Sequence, residues 1–357
     1  MSKIALITDT HFGFKNDSNQ FLDYFAKFYD KVFFPTLKAH GITSIIHLGD
    51  IVERRKYMSY TTLRRFHEIF LDKTADYATT VLVGNHDVPY RNTNEINALS
   101  EIYRRRPENF QIISEPTEKA FDNCNILLMP WINVTNYDAC MQSIKASRSQ
   151  VMFGHLEIKG FEMHRGQTNY DGFDRSVFDK FDVVCSGHFH RKSTNKNINY
   201  LGSPYELTWA DYNDVRGFHF FDTETRNLTF IKNPFSLYKK LWYNDKDKVL
   251  KDILDIDCES LAETYVKIIV SEKTNSYWFE QYVELVNLSK AYSIQIVEDH
   301  KNLDSDVNDD AILDAEDTMT VITNYVQGLD TDDSSKNELH MLFRALYNEA
   351  HNMELVD

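Results

Sequence analysis

The stretch Val81-Leu-Val-Gly84-Asn85-His86-Asp87 holds three β-favouring aliphatics, a glycine, and then three side chains that can bind a metal ion or move a proton. Alone, such a segment is an ordinary junction between a strand and a turn. The chain repeats the pattern. Ile4-Ala-Leu-Ile-Thr8 runs into Asp9-Thr-His11, and Ser44-Ile-Ile-His-Leu48 into Gly49-Asp50. Gln150-Val-Met-Phe153 runs into Gly154-His155, and Asp182-Val-Val-Cys-Ser186 into Gly187-His188-Phe-His190. Five strand ends that all carry Asp, Asn or His imply one shared centre.

The donors at these ends are Asp9, His11, Asp50, Asn85, His155, His188 and His190, seven in all. Seven are too many for one ion and suit two if a carboxylate bridges them. Imidazole, carboxylate and amide oxygen without thiolate favour Mn²⁺, Fe²⁺ or Zn²⁺ over Ca²⁺. Two such ions, about 3.5–4 Å apart, clamp an in-line displacement at phosphorus and lower the pKa of a bound water. The leaving alkoxide then needs a proton. His86, beside Asn85 and not counted among the ligands, is the candidate donor. Spacing assigns Asp87 no role, orienting His86 being one guess.

The elements that must position these groups follow from periodicity. Strands are expected at 3–8, 43–48, 79–83, 110–113, 125–129, 150–153, 182–186 and 198–202, with a hairpin over 216–232. Amphipathic helices are expected at 20–39, with Pro35 disturbing the end, and at 59–75, 94–106 and 137–147. Strands alternating with helices indicate an α/β layered core, and later antiparallel pairs a second sheet. In such folds ligands gather beyond the carboxyl ends of the strands. The character changes near Pro234–Asp257. Residues 264–270, 275–289 and 292–297 then read as a small β-α-β cap. Residues 298–317 are crowded with acidic side chains, a linker by composition. Beyond it, 318–328 and 335–352 read as helices. The second opens on a Ser335-Lys-Asn-Glu338 capping box, and Leu339, Leu342, Phe343, Leu346 and Tyr347 form an apolar stripe. Such a stripe either folds back on its own domain or docks on another protein.

The chain has 357 residues and a net charge of −15. Spread evenly, that acidity would argue against a nucleic-acid partner, but it is unevenly placed. Residues 241–357 hold 9 Lys/Arg against 26 Asp/Glu, leaving 1–240 with 30 against 28. A polyanionic substrate therefore remains compatible with the front of the chain. Arg54, Arg55 and Lys56 follow the Asp50 loop and Arg91 follows the Asn85 loop, near enough to contact a phosphate backbone. Cys124, Cys140, Cys185 and Cys258 form no CxxC pair and are expected to be reduced. No apolar run is long enough for a membrane span and no signal peptide is visible, so a cytoplasmic protein with no membrane partner is expected.

Asp-x-His, Gly-Asp, Gly-Asn-His-Asp, Gly-His and Gly-His-x-His, in this order, resemble the calcineurin-like metallophosphoesterase superfamily. Gly154-His155-Leu-Glu157, Met129-Pro130-Trp131, Gly202-Ser-Pro204 and Arg216-Gly217-Phe218 resemble its SbcD/Mre-type DNA-repair nucleases, and the length and tail are most like the T-even phage branch. The resemblance implies a two-sheet α/β sandwich over 1–240, a cap over 241–297, the linker at 298–317 and partner-binding helices over 318–357. It implies one ion on Asp9, His11, Asp50 and His190, another on Asp50, Asn85, His155 and His188, manganese as the metal, and His86 as the acid for a leaving 3′ oxygen. It further implies a 3′-to-5′ exonuclease on duplex DNA and an endonuclease on single strands, working in double-strand-break processing. The nuclease would be a homodimer formed through 59–75 and 94–106, bound to an SMC-like ATPase of the SbcC/Rad type. A phosphoesterase acting on a small or protein-borne ester, and a scaffold without catalysis, are the alternatives; no ligand is missing, which weighs against the scaffold.

Overall fold

The computed structural model describes residues 3–90, 92–102, 108–164, 166–298, and the single positions Val326, Lys336, Leu339, Leu342 and Phe343. In chain order the strands are β1 (Lys3–Ile7), β2 (Ser44–His47), β3 (Ala78–Leu82), β4 (Phe110–Ile113), β5 (Thr117–Phe121), β6 (Cys124–Met129), β7 (Val151–His155), the short pair β8 (Glu162–His164) and β9 (Gln167–Thr168), β10 (Val183–Gly187), β11 (Ser193–Asn195), β12 (Ile198–Tyr200), β13 (Gly217–Asp222), β14 (Leu228–Lys232), β15 (Tyr238–Asn244), β16 (Tyr265–Glu272) and β17 (Ser293–Val297).

Two six-stranded sheets form the body, in the orders β14-β13-β1-β2-β3-β4 and β11-β12-β10-β7-β6-β5. Strand alternation explains how they stack. Ile4 and Leu6 of β1 turn one way, to meet Val151, Phe153 and Cys185 of the second sheet across a shared core. Ala5 and Ile7 turn the other way, into an aromatic cluster with Phe25, Tyr29, Phe33 and Phe70 from the covering helices. On the far side, Met152 and Val184 pack against Cys140 and Ile144 of the helix Tyr137–Ala146. The result is helix, sheet, sheet, helix: the α/β sandwich expected from the alternation of elements.

β1, β2 and β3 are parallel neighbours, as are β6, β7 and β10. Parallel pairing puts their carboxyl ends at one edge, which is the step that brings the five motifs together. The hairpin 217–232 departs from expectation. It extends the first sheet, with β13 antiparallel to β1, so the second sheet is parallel at its centre and antiparallel only at the β5 and β11 edges. β5 and β11 are short and partly exposed, which is why their sequences carry little strand signal.

Pro35 does not end the helix that holds it. Helix Asn19–Phe28 passes through a π-turn at Tyr29–Phe33 and continues as Phe34–Ala39, with Pro35 in the first turn of that last piece. A wide turn just before a proline relieves the clash with the preceding carbonyl. A third sheet, parallel in the order β15-β16-β17, carries the helix Ser276–Asn287 on one face. Its first strand begins at Tyr238, so the sheet has one strand more than the β-α-β reading. The buried Glu206 carboxylate accepts from the N–H groups of Leu237 (2.6 Å) and Tyr238 (3.0 Å), and so ties the start of β15 to the body. Of the tail, Leu339, Leu342 and Phe343 are helical, whereas Leu346, Tyr347 and the 299–317 part of the acidic linker lie outside the described residues. Cys124, Cys140, Cys185 and Cys258 are all free thiols. Among the described residues no helix is long and apolar enough to cross a membrane.

The helix over β1 is anchored by stacked rings. Phe25 lies parallel to Tyr205 with centroids 4.1 Å apart, and the Tyr205 hydroxyl donates to the Thr10 carbonyl (2.6 Å) in the first ligand loop. Phe25→Ala should cost about 3–5 kcal/mol, read as a lower urea midpoint at unchanged m-value.

Candidate metal centre

The ligand loops zip together past the ends of their strands. Asp9 N donates to Gly49 O (3.0 Å), Thr10 N to Asp50 O (2.9 Å) and Phe12 N to Ile51 O (2.7 Å), so the β1 and β2 loops move as one piece. Asp9, His11, Asp50 and His188 all adopt left-handed backbone, with φ between 45° and 87°. Left-handed backbone is costly for residues with a Cβ and persists where the surroundings over-determine it. Glycines let the loops approach: a Cβ on Gly84 would overlap the Asp50 carboxylate, and one on Gly187 would overlap Thr8.

The seven expected donors do meet. Asp9, His11 and His190 form one group and Asp50, His155 and His188 another, the ligand atoms of each lying within 4.8 Å of one another. Asn85 joins the second, its Oδ1 2.9 Å from both His155 Nε2 and His188 Nδ1. Asp50 Oδ2 lies between the groups, 3.1 Å from His155 Nε2 and 4.0 Å from His11 Nε2. His11 Nε2 and His190 Nε2 are 3.0 Å apart. Donor atoms about 2.1 Å from one ion and at right angles to each other sit about 3 Å apart. The spacings of 2.9–3.1 Å match ligand edges around a cation.

Charge makes the same point. Burial drives Asp9's pKa up, with Asp50's charge adding to the rise. Burial pushes Asp50 up as well, but His155, His86 and His11 outweigh it and hold that carboxyl well below the usual range. Burial disfavours a charged His155, yet the Asp50 carboxylate raises its pKa to about 9. Two buried carboxylates in one small volume thus draw protons onto the groups around them. Divalent cations can take the place of those protons, because binding requires neutral imidazole and ionised carboxylate. The donor set fits a pair of divalent ions.

His86 is half-buried at the rim. Its Nδ1 faces the Glu53 carbonyl at 2.9 Å, and a carbonyl only accepts, so Nδ1 carries a hydrogen and Nε2 is the ring's other proton-carrying position. Its own N–H donates to Asp50 Oδ1 (2.8 Å). Asp87 does not orient His86. Its carboxylate is fully buried and accepts four backbone N–H groups: Asp50 (2.9 Å) and Gly84 (2.8 Å) on Oδ2, Ile51 (3.0 Å) and Val52 (3.2 Å) on Oδ1. Asp87 therefore holds the Asp50 loop, and burial raises its pKa to about 6. Its position three residues after Gly84, where a short acidic side chain can fold back onto backbone donors, was the available signal.

Three further residues support the site: Glu53, which the sequence reading missed, and Trp131 and Arg216, which it singled out only within family motifs. Glu53 Oε2 accepts from His11 Nδ1 at 2.6 Å. Trp131 forms a wall, its ring 5.2 Å from that of His188 and 6.1 Å from that of His155. Buried Arg216 donates to the His190 carbonyl and to Ser203 Oγ, and pairs with Asp211 at 2.5 Å. The basic rim is partly engaged. Arg54 pairs with Asp17 (3.2 Å) and lies over the Tyr57 ring, Arg55 is half-buried, Lys56 is exposed, and Arg91 lies outside the described residues.

A four-layer sandwich whose parallel strand ends deliver this donor set is a metallophosphoesterase. The profile of the calcineurin-like phosphoesterase family matches residues 2–192, and the chain belongs to that family. It is a metal-dependent phosphoester hydrolase. Its sequence is 33% identical over 319 residues to Exonuclease subunit 1 of Enterobacteria phage T4, an alignment spanning 88% of this chain and 89% of that protein. It is 24% identical over 148 residues to the SbcD component of nuclease SbcCD from Staphylococcus epidermidis, spanning 39% of this chain and 36% of that one. Among solved structures, an archaeal phosphodiesterase shares 14% identity at a TM-score of 0.32, covering 65% of this chain and 99% of its own.

Asp87→Asn turns an amide nitrogen toward two backbone N–H groups. Unmet buried donors cost about 1–3 kcal/mol each, so the variant should lose at least about 2 kcal/mol by urea denaturation and bind Mn²⁺ more weakly by calorimetry.

Proposed function

We propose that the chain is the nuclease subunit of an SbcCD/Mre-Rad-type complex, hydrolysing DNA phosphodiesters at two manganese ions. The observation that carries the proposal is the alignment with a phage exonuclease subunit over nearly the whole of both chains. The convergence of all seven donors supports it.

Asp9, His11, Asp50 and His190 are assigned to one ion and Asp50, Asn85, His155 and His188 to the other. When bound, such a pair supplies Lewis-acid charge at the phosphorus and an acidified water. The remaining task falls to the protein. His86 keeps its Nδ1–H on the Glu53 carbonyl and holds a proton at Nε2 for the departing 3′ oxygen. Trp131 covers the His155 and His188 side and limits water there. Arg55, Lys56 and Arg91 are assigned to backbone phosphates, with Arg54 held by Asp17 until DNA competes for it. The activities expected are a 3′-to-5′ exonuclease on duplex DNA and an endonuclease on single strands, in recombination and double-strand-break repair.

The assembly proposed is a homodimer bound to an SMC-like ATPase. A 54% exposed Leu342 on the tail helix, and 92% exposed Tyr60 at the start of the helix Tyr60–Phe66, are apolar surface consistent with docking. The cap, residues 241–297, and the tail, 318–357, are assigned to these contacts.

The test is incubation with Mn²⁺ and linear duplex DNA, with and without the ATPase, beside a nitrophenyl phosphodiester. DNA shortening is expected; cleavage of the small ester alone would overturn the nuclease reading. His86→Ala should retain two Mn²⁺ per chain while cleavage falls about 10²-fold or more; lost metal in that variant would refute its role as acid. Removing 318–357 should abolish co-purification with the ATPase and leave Mn²⁺ binding unchanged.

A further inference from the structure

Glu53 is an anomaly at a site built for phosphate. Its carboxylate is 23% exposed, on the rim, where a fixed negative charge repels an anionic substrate. Its geometry accounts for its presence. Oε2 accepts a 2.6 Å hydrogen bond from His11 Nδ1, and a carboxylate oxygen with no proton can only accept. His11 is thereby held with its hydrogen on Nδ1 and Nε2 turned toward His190 Nε2, 3.0 Å away. The same residue reaches His86 twice: the backbone carbonyl takes the His86 Nδ1 hydrogen at 2.9 Å, and Oε2 lies 3.7 Å from that nitrogen. The His11 and His86 rings meet edge to face at 4.9 Å. The backbone of Glu53 is itself fixed, its N–H donating to Phe12 O (3.0 Å).

We propose that Glu53 is a positioning residue that sets two imidazoles at once, fixing His11 as a ligand of the first ion through its side chain and aiming His86 through its main chain. The inference rests on the two-ion reading of the site and adds to it a residue whose side chain holds a ligand of one ion. His11 belongs to the group with Asp9 and His190, and it is the ligand that the Glu53 side chain holds, at 2.6 Å. Partners that orient a ligating histidine carry about 10–100-fold in metal affinity. Glutamine at 53 keeps an oxygen that can accept from His11 Nδ1 and removes the charge; alanine removes both.

The measurement is Mn²⁺ binding to the full chain by calorimetry, supported by electron paramagnetic resonance, for wild type, E53A, E53Q and, as a mirror control, H188A. Wild type should show two binding events. E53A should weaken one of them about 10–100-fold and leave the other in place, E53Q should restore the weakened event to within a few-fold of wild type, and H188A should weaken the opposite event. A general loss of structure would move both events together. Equal weakening of both events in E53A, no change in either, or failure of E53Q to restore binding would overturn the proposal. Wild type that binds no Mn²⁺, or a single ion, would overturn the two-ion reading itself, and this proposal with it. E53A and E53Q circular dichroism spectra matching wild type complete the test.

Discussion

Everything around the centre answers to one buried carboxylate. Asp50 sits where the two ligand groups meet, with Oδ2 near His155 and His11 and Oδ1 holding the His86 N–H. A carboxylate 1% exposed is expensive unless partners surround it. The protein surrounds this one with imidazoles on the side chain and, through Asp87, with a rigid backbone beneath. Asp87 gathers four N–H groups from two loops, so the β2 and β3 ends cannot separate without leaving donors buried and unmet. The pair of aspartates converts two turns into one anvil on which the donors are placed.

That local order needs a stiff platform. The aromatic cluster over the first sheet provides it: Phe12, which follows His11 directly, packs edge-on against Phe25 and Phe66, and Tyr205 reaches from the same cluster to the Thr10 carbonyl. Arg216, just before β13 of the first sheet, grips the carbonyl of His190 beyond β10 of the second, while Ser203 N donates to that carbonyl at 3.0 Å. Core packing and ligand placement are therefore one problem here. Close-packed interiors resist displacement, and each ligand loop is fastened to such an interior within one or two residues. The left-handed backbone of Asp9, His11, Asp50 and His188 is tolerable for that reason.

Much of this is legible in the chain itself. Ile4-Ala-Leu-Ile and Val81-Leu-Val are buried on both faces, so they read as uninterrupted apolar runs, and the donor that follows each run stands out. The helices over 19–39 and 60–76 show through their aromatic periodicity. What does not show is short, exposed or non-repetitive. β5 and β11 lie at sheet edges and carry polar residues, β15 alternates poorly because Lys239 and Lys240 interrupt its aromatics, and Pro35 looks like a stop because nothing in its neighbours announces a π-turn. The placement of the hairpin 217–232 beside β1 is a pairing across more than two hundred residues, beyond the reach of any local pattern.

The sequence by itself determined the donor types, their place after strands and the class of chemistry, because those depend on residue identity and on a period of two. The grouping of the donors around Asp50 followed from the family resemblance and not from the residue types themselves, and tertiary structure alone decided that Asp87 serves the backbone rather than His86 and that Glu53 belongs to the site at all. Each of those facts depends on the register between strands, the left-handed turns and the approach of one sheet to another across glycines. Such distances are set by packing over the whole sandwich, and no spacing along the chain encodes them.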